Sequence, residues 1–396
     1  MKCSASRTTL SEIVPIIALF LLFPQVALCR EMVRKEQDSP SHASPKVFVL
    51  DNTETIGFSQ PAPTAVESSI KCGPNGEIYA VYNDNQAEDI WKQPISKISI
   101  SSKTVTQYRT PAMPGYYNPA RIDFNVQADG TLYSLVQVSS SRQSDEKRRL
   151  AYFLIKYRDD GSVDSQIRVG DESGKRVEPM RVAVFADGDF LLSGTYGLRQ
   201  EEIAEGAKLD TFAGIWGREG TFLSPIKLME PTAAAKSSLT SSVIPYSEKL
   251  AKEDANAVSL GNHTLYFGSP DENIYALQGA HNPHLYVIST TGDILRETIL
   301  KPPSASLTPV QMSGAGSGYL FIYYSHIVVG VPEEDISQPG LITVLNQQTE
   351  EVVAVYKMPS NTEGFSVPAC ADSSDDFLFL GADKNNHLAI LRYAAR

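Results

Sequence analysis

Five carboxylates, Glu67, Glu178, Glu253, Asp254 and Glu363, stand where this 396-residue chain enters separate apolar runs. Carboxylate oxygens drawn from several loops are the donors a calcium ion takes. A cation so held would polarise an ester carbonyl or activate a water. The same five groups read equally as a solvated rim on an acidic protein. Arg121 and Arg181 occupy similar places in consecutive runs. They would either clamp a carboxylate or phosphate ligand or pair with Asp123, Glu178 and other neighbouring carboxylates. Tyr116 and Tyr117, followed by Asn118, offer flat rings with polar tips, suited to stacking on sugars or peptides. With 18 tyrosines in the chain, strand packing is the commoner use of such a ring. Asn256 belongs to the same set of positions. His281-Asn282-Pro283-His284 sets two imidazoles three apart, but Pro283 places the pair in a loop rather than on a helix face. No further His or Cys lies near them in sequence to complete a transition-metal site. A Gly-x-Ser-x-Gly elbow, a P-loop and a dinucleotide-binding glycine pattern are all absent.

The elements that must position these groups are strands. A polar or glycine-containing turn followed by an aromatic-apolar run recurs six times: Asn75-Gly76, Asp129-Gly130, Asp187-Gly188, Gly261-Asn262, Gly316 to Gly318, and Ser373 to Asp376. Indexed on the second residue of the run that follows (Tyr79, Tyr133, Leu191, Tyr266, Leu320, Leu378), the spacings are 54, 58, 75, 54 and 58 residues. A second hairpin follows each of the first five, turning for example at Asp160-Gly161 and Glu219-Gly220. Four antiparallel strands per repeat at this period specify an all-β, six-bladed β-propeller. The sixth repeat lacks a fourth strand, whereas Lys46 to Leu50 is a strand without a blade; placed in the last blade, it closes the ring and hides an edge. The long third interval holds Pro231 to Ser242, read as a loop insertion, and Arg199 to Glu205 is read as a helical decoration.

Residues 1–29 have a signal-peptide pattern: Lys2 and Arg7, an apolar stretch from Ile13 to Leu28, and small residues before Cys29. Its two prolines and short apolar core argue against a retained span. Residues 30–44 are polar and expected to be disordered, and the propeller is expected over 45–396. Without residues 1–29, which hold Lys2, Arg7 and Glu12, the chain carries 33 basic against 45 acidic groups. That balance excludes nucleic acid and anionic lipid as natural partners. Cys72 and Cys370 remain, one in the first repeat and one in the last. In an oxidising compartment they either pair across the ring junction or stay apart as buried thiols, since a bridge needs Cα atoms within about 7 Å.

On the repeated turn-then-apolar strand, the chain resembles six-bladed propellers of the NHL and TolB-like kind found in secreted bacterial proteins. WD40 blade marks, the Gly-Gly pair of kelch repeats and the aspartate box of sialidases are missing. The resemblance implies a ligand or protein site at one mouth of the central channel and implies no single reaction. The sequence therefore points to an extracytoplasmic, monomeric binding propeller rather than an enzyme. Its partner would be a protein, peptide or glycan, and it needs no cofactor. Its ligand residues are drawn from Tyr117, Arg121, Glu178, Arg181, Asp254 and Glu363. The alternative is a calcium-dependent propeller hydrolase or lactonase.

Overall fold

The computed structural model describes residues 34–36, 47–63, 65–66, 70–83, 92–140, 150–172, 174–197, 211–228, 264–268, 273–279, 283–304, 307–315, 318–325, 340–358, 366–372 and 376–395. These form six four-stranded antiparallel blades. Blade 1 consists of Lys71–Cys72, Ile78–Ala80, Ile95–Ser99 and Thr104–Tyr108. Blade 2 has Tyr117–Val126, Leu132–Ser139, Leu150–Tyr157 and Val163–Arg168, and blade 3 has Val177–Val184, Phe190–Tyr196, Thr211–Trp216 and Phe222–Pro225. Blade 4 comprises Thr264–Gly268, Ile274–Gln278, His284–Ile288 and Ile294–Ile299, and blade 5 Thr308–Ala315, Tyr319–Ser325, Leu341–Asn346 and Val352–Lys357. Blade 6 joins Ser366–Ala371, Phe377–Ala382 and His387–Ala395 to the N-terminal strand Val47–Pro61. The first strands of successive blades neighbour one another around the ring, including the last and the first, and so form its inner wall.

The core follows from the period of two. Alternate strand residues face opposite sides of a blade, so each blade contributes to two apolar layers, one against each neighbour. Six separate clusters result, one at each blade–blade junction. Tyr79 packs toward blade 2, while Ile78 and Ala80 on either side of it pack toward blade 6. The aromatic residue in the repeat signature has a second use. Tyr79 Oη donates to the Gly130 carbonyl at 3.1 Å, and Tyr275 Oη donates to the Gln347 carbonyl at 3.3 Å, each reaching a turn of the next blade. The Asp-Gly turns are equally local in origin. Asp129 and Asp187 accept the backbone N–H two residues on, at 2.8 and 3.0 Å. Gly130 and Gly188 take φ of 90° and 91°, a conformation that favours glycine.

Burial of so many phenols has a measurable outcome. Desolvation pushes the Tyr108 and Tyr157 hydroxyls up to about 12, and it raises those of Tyr79, Tyr152 and Tyr324 further still. An unfolded tyrosine ionises near pH 10. Above that pH the unfolded chain loses protons that the folded ring retains, so stability is intact below about pH 10 and falls as pH rises from about 10 through the folded values. A spectrophotometric titration should show one group of tyrosines ionising near pH 10 and a second ionising only together with loss of the ring. A single unperturbed titration would refute this.

Closure is wider than a single strand. Leu50 to Pro61 runs antiparallel to the strand His387–Ala395 and completes blade 6. The three residues before it, Val47 to Val49, pair in parallel with Val355 to Lys357, the outer strand of blade 5. Within the segment expected to lack structure, Arg34–Glu36 pairs in parallel with Glu297 to Ile299, the outer strand of blade 4.

The fourth repeat departs from the sequence reading. Leu265-Tyr266-Phe267 was expected to be the second strand of its blade, but Thr264–Gly268 is the first strand and pairs with Ile274–Gln278, which is the second. Two apolar runs stand in tandem here, each preceded by polar residues. Either satisfies the local pattern, and the pairing of the ladder decides between them. The second-strand index therefore moves to Tyr275, 84 residues after Leu191 and 45 before Leu320. Pro231 to Ser242 and Arg199 to Glu205 lie outside the described residues.

Candidate functional site

The end of the ring at which the first strands begin gathers most of the sequence-selected residues that the structure describes. Tyr117 opens the first strand of blade 2 opposite Ser139, beside Asn118 with φ of 51°. Tyr116 packs edge-on against Phe153, with centroids 5.3 Å apart, and so serves the core. Arg121 is 1% exposed and its Nη1 donates to the Gln93 carbonyl of blade 1 at 2.7 Å. This makes it a strut between blades rather than a group at the mouth. Arg181 stands deeper, opposite Ser193, next to a bulge at Met180. Glu67, Glu253, Asp254, Asn256, Glu363 and His281 lie outside the described residues. His284 is buried, with Nδ1 2.8 Å from Glu297 Oε1 across its own blade. Among the described residues no group of three His, Cys, Asp or Glu is placed to hold a metal ion. Cys72 and Cys370 form a disulfide with Cα atoms 5.7 Å apart.

Glu178 belongs to a polar grouping at the start of blade 3. Its Oε1 lies 2.9 Å from Arg176 Nη2, with the two side chains 32% and 39% exposed. Tyr152 of blade 2, buried in the layer between blades 2 and 3, lies within electrostatic reach of this pair. Burial raises its hydroxyl, the Glu178 carboxylate adds to the rise, and Arg176 opposes it. Beside them Tyr196 Oη donates to Glu172, and Lys175 Nζ stands 4.7 Å above the Tyr196 ring. Two glycines make the grouping possible. A Cβ on Gly194 would fall 2.2 Å from the Glu178 carbonyl oxygen, and one on Gly197 would fall 2.8 Å from Glu178 Oε1. The result is a partly exposed ion pair, Arg176–Glu178, together with a second polar set made by Glu172, Lys175 and Tyr196.

Chemically, such a surface can stack on a planar or apolar group and exchange hydrogen bonds with polar ones. Tyr152, Glu172, Lys175, Arg176 and Tyr196 were not selected from sequence. The signal available was the charged loop Asp171-Glu172-Ser173-Gly174-Lys175-Arg176, which leads directly into the strand that carries Glu178.

No protein-family model matches the sequence, and no curated protein matches it. Solved structures do. A protein of unknown function from Dyadobacter fermentans is 11% identical over 88% of this chain and 99% of its own, with a TM-score of 0.49. A gluconolactonase from Xanthomonas campestris is 13% identical over 87% of this chain and 99% of its own, with a TM-score of 0.42. YCF48 bound to a D1 peptide is 9% identical over 88% of this chain and 98% of its own, with a TM-score of 0.39. The six-bladed architecture rests on the strand pairing of this chain, and these likenesses transfer no residue to it. Among the described residues no helix is long and apolar enough to cross a membrane.

Proposed function

We propose that this chain is an extracytoplasmic, monomeric binding propeller, of the NHL and TolB-like kind, that docks a peptide or glycan at the mouth over blades 2 and 3. The observation that carries the reading is the partly exposed Arg176–Glu178 pair on blade 3, with Glu172, Lys175 and Tyr196 forming a second polar set on the same loop and strands. An exposed ion pair and a phenol held between a cation and an acid are groups that suit recognition of a polar ligand. The disulfide and the apolar N-terminal stretch support an oxidising, extracytoplasmic compartment. The calcium-dependent lactonase reading needs several carboxylates converging on one point. Of its five, the one described, Glu178, already holds an arginine.

Peptide and glycan arrays probed with the purified protein test the proposal. Ligands retained by the wild type should weaken about tenfold or more in Glu178→Gln and Tyr196→Ala, since each removes a charge-assisted or stacking contact worth roughly 1–3 kcal/mol. Melting should be insensitive to calcium and to a chelator. Hits indifferent to both substitutions, or a chelator-sensitive melt with esterase activity, would replace this reading with the hydrolase.

A further inference from the structure

The outer edges of the six blades are guarded in different ways. An outermost strand presents unpaired backbone groups, and folded proteins shield such edges with charge, proline, short length or a covering segment. Blade 6 ends on Val47–Pro61, whose exposed residues Asp51 to Thr55 are polar or charged. In blade 2 the exposed side chains of Val163–Arg168 are Asp164, Gln166 and Arg168, and in blade 1 those of Thr104–Tyr108 are Thr104 and Gln107. Blade 3 ends on the four residues Phe222–Pro225, which a proline terminates.

The exposed positions on the outermost strands of blades 4 and 5 are mainly apolar. Ile294–Ile299 of blade 4 exposes Leu295, and Val352–Lys357 of blade 5 exposes Val352, Val353 and Lys357. Val353 is 52% exposed. Of the five large apolar side chains exposed among the described residues, four belong to this rim: Leu295, Val352, Val353 and Phe48. The run Val352-Val353-Ala354-Val355-Tyr356-Lys357 is rich in β-branched and aromatic residues and carries one charge. It contains neither proline nor glycine, and strands of that composition pair readily with their like.

These two blades are the ones that carry an added strand. Arg34–Glu36 lies parallel to Glu297 to Ile299, and Val47 to Val49 lies parallel to Val355 to Lys357. On blade 5 the Phe48 ring packs on the Tyr356 ring, with centroids 5.4 Å apart. The cover is partial, since each added ladder reaches three of the six residues of the outermost strand. A segment tethered in the same chain nevertheless competes at a high effective concentration against any separate molecule.

We infer that Val47 to Val49 guards a self-association surface, the outermost strand of blade 5, and that the partner it holds off is a second copy of this chain. The strand is self-complementary. In an antiparallel pair centred between Ala354 and Val355, Val353 meets the second copy's Tyr356 and Lys357 meets its Val352. Apolar side chains then face one another and like charges do not. Such a contact is isologous and closes at two copies. It needs the same backbone edge, Val355 to Lys357, that Val47 to Val49 occupies. Guard and second copy therefore exclude each other, which keeps the intact chain monomeric. The surface involves none of the groups named at the mouth.

Sedimentation velocity of the purified protein across the micromolar range tests the inference. The wild type should stay monomeric. Phe48→Pro removes a ladder donor and the ring seated on Tyr356. It should pass from monomer to dimer as concentration rises, doubling the sedimenting mass. Adding Val353→Lys to that variant should return it to monomer, because lysines from both copies then crowd one short ladder. Adding Leu223→Lys on blade 3 instead should leave the dimer intact. Melts identify any variant that fails to fold, and Phe48→Asp, which withdraws the ring and keeps the backbone donor, repeats the test if proline prevents folding. An unguarded chain that stays monomeric at every concentration would overturn the inference, as would a dimer that persists with Val353→Lys. Growth beyond two copies would overturn the closed pairing. Should the unguarded chain stay monomeric yet bind a synthetic peptide of residues 46–50, the edge serves an extended peptide and the second-copy assignment falls.

Discussion

A protein in which Cys72 and Cys370 are both replaced by serine should lose about 3–5 kcal/mol of stability while keeping the ring. The bond closes a loop with a sequence separation of 298 residues. Chain-entropy arguments assign loops of that size the upper end of the range, near 5 kcal/mol. The ring should survive because the same junction is secured twice more. The apolar cluster between blades 6 and 1 packs Leu378, Leu380 and Ile390 against Ile78, Ala80 and Ile98. In addition, the chain passes from the outer strand of blade 6 straight into blade 1. For a domain this large the loss corresponds to a fall in melting temperature of roughly 4–7 °C. Scanning calorimetry of wild type, the double variant and reduced wild type provides the check. The two altered samples should agree with each other, and a melt within about 1 °C of the oxidised wild type would sink the argument.

The second large effect concerns the closing strand. A chain that begins at Ala62 lacks Leu50, Ile56 and Phe58, each at most 6% exposed, and it leaves the outer edge of the strand His387–Ala395 unpaired. Lost side-chain burial alone removes about 5–8 kcal/mol, and the bared edge invites pairing between molecules. No cooperative monomeric melt is expected from the truncated chain. Size-exclusion chromatography should find it associated or aggregated. A synthetic peptide of residues 47–61 added in trans should restore a monomeric ring. If the truncated chain is monomeric and melts like the intact one, Val47–Pro61 does not close the ring.

The architecture was legible because the signals behind it are local. Asp129-Gly130 and Asp187-Gly188 carry their own turn chemistry, and in blades 1 and 4 a tyrosine at the second position of the second strand ties that blade to a turn of the next. The exception is instructive. In the fourth blade two apolar runs meet the same local criteria, and only the register of Thr264 to Gly268 on Ile274 to Gln278 orders them. Position along a strand does not report depth, which is why Arg121 and Arg181, similar in sequence context, end in different surroundings. One is enclosed against Gln93; the other is half-buried on the inner wall. The mouth was half legible. Glu178 was selected, but its partner Arg176, two residues before it, was not, and the room their ion pair occupies exists because Gly197 across the ladder has no side chain. Close approach of backbones is a property of pairing and leaves no mark in composition.

The place of the closing strand also sets a timetable for synthesis. Val47–Pro61 leaves the ribosome ahead of every blade, yet most of its ladder is with the last strand made, Leu50 meeting Ala395. No earlier moment offers it that partner. A strand rich in unpaired amides must therefore be kept from other chains until the last blade has been made, and the ring completes itself only then. Folding should be slow for a protein of this size, governed by the meeting of its two ends, and sensitive to any holding factor that shields an extended N-terminal segment in the interval.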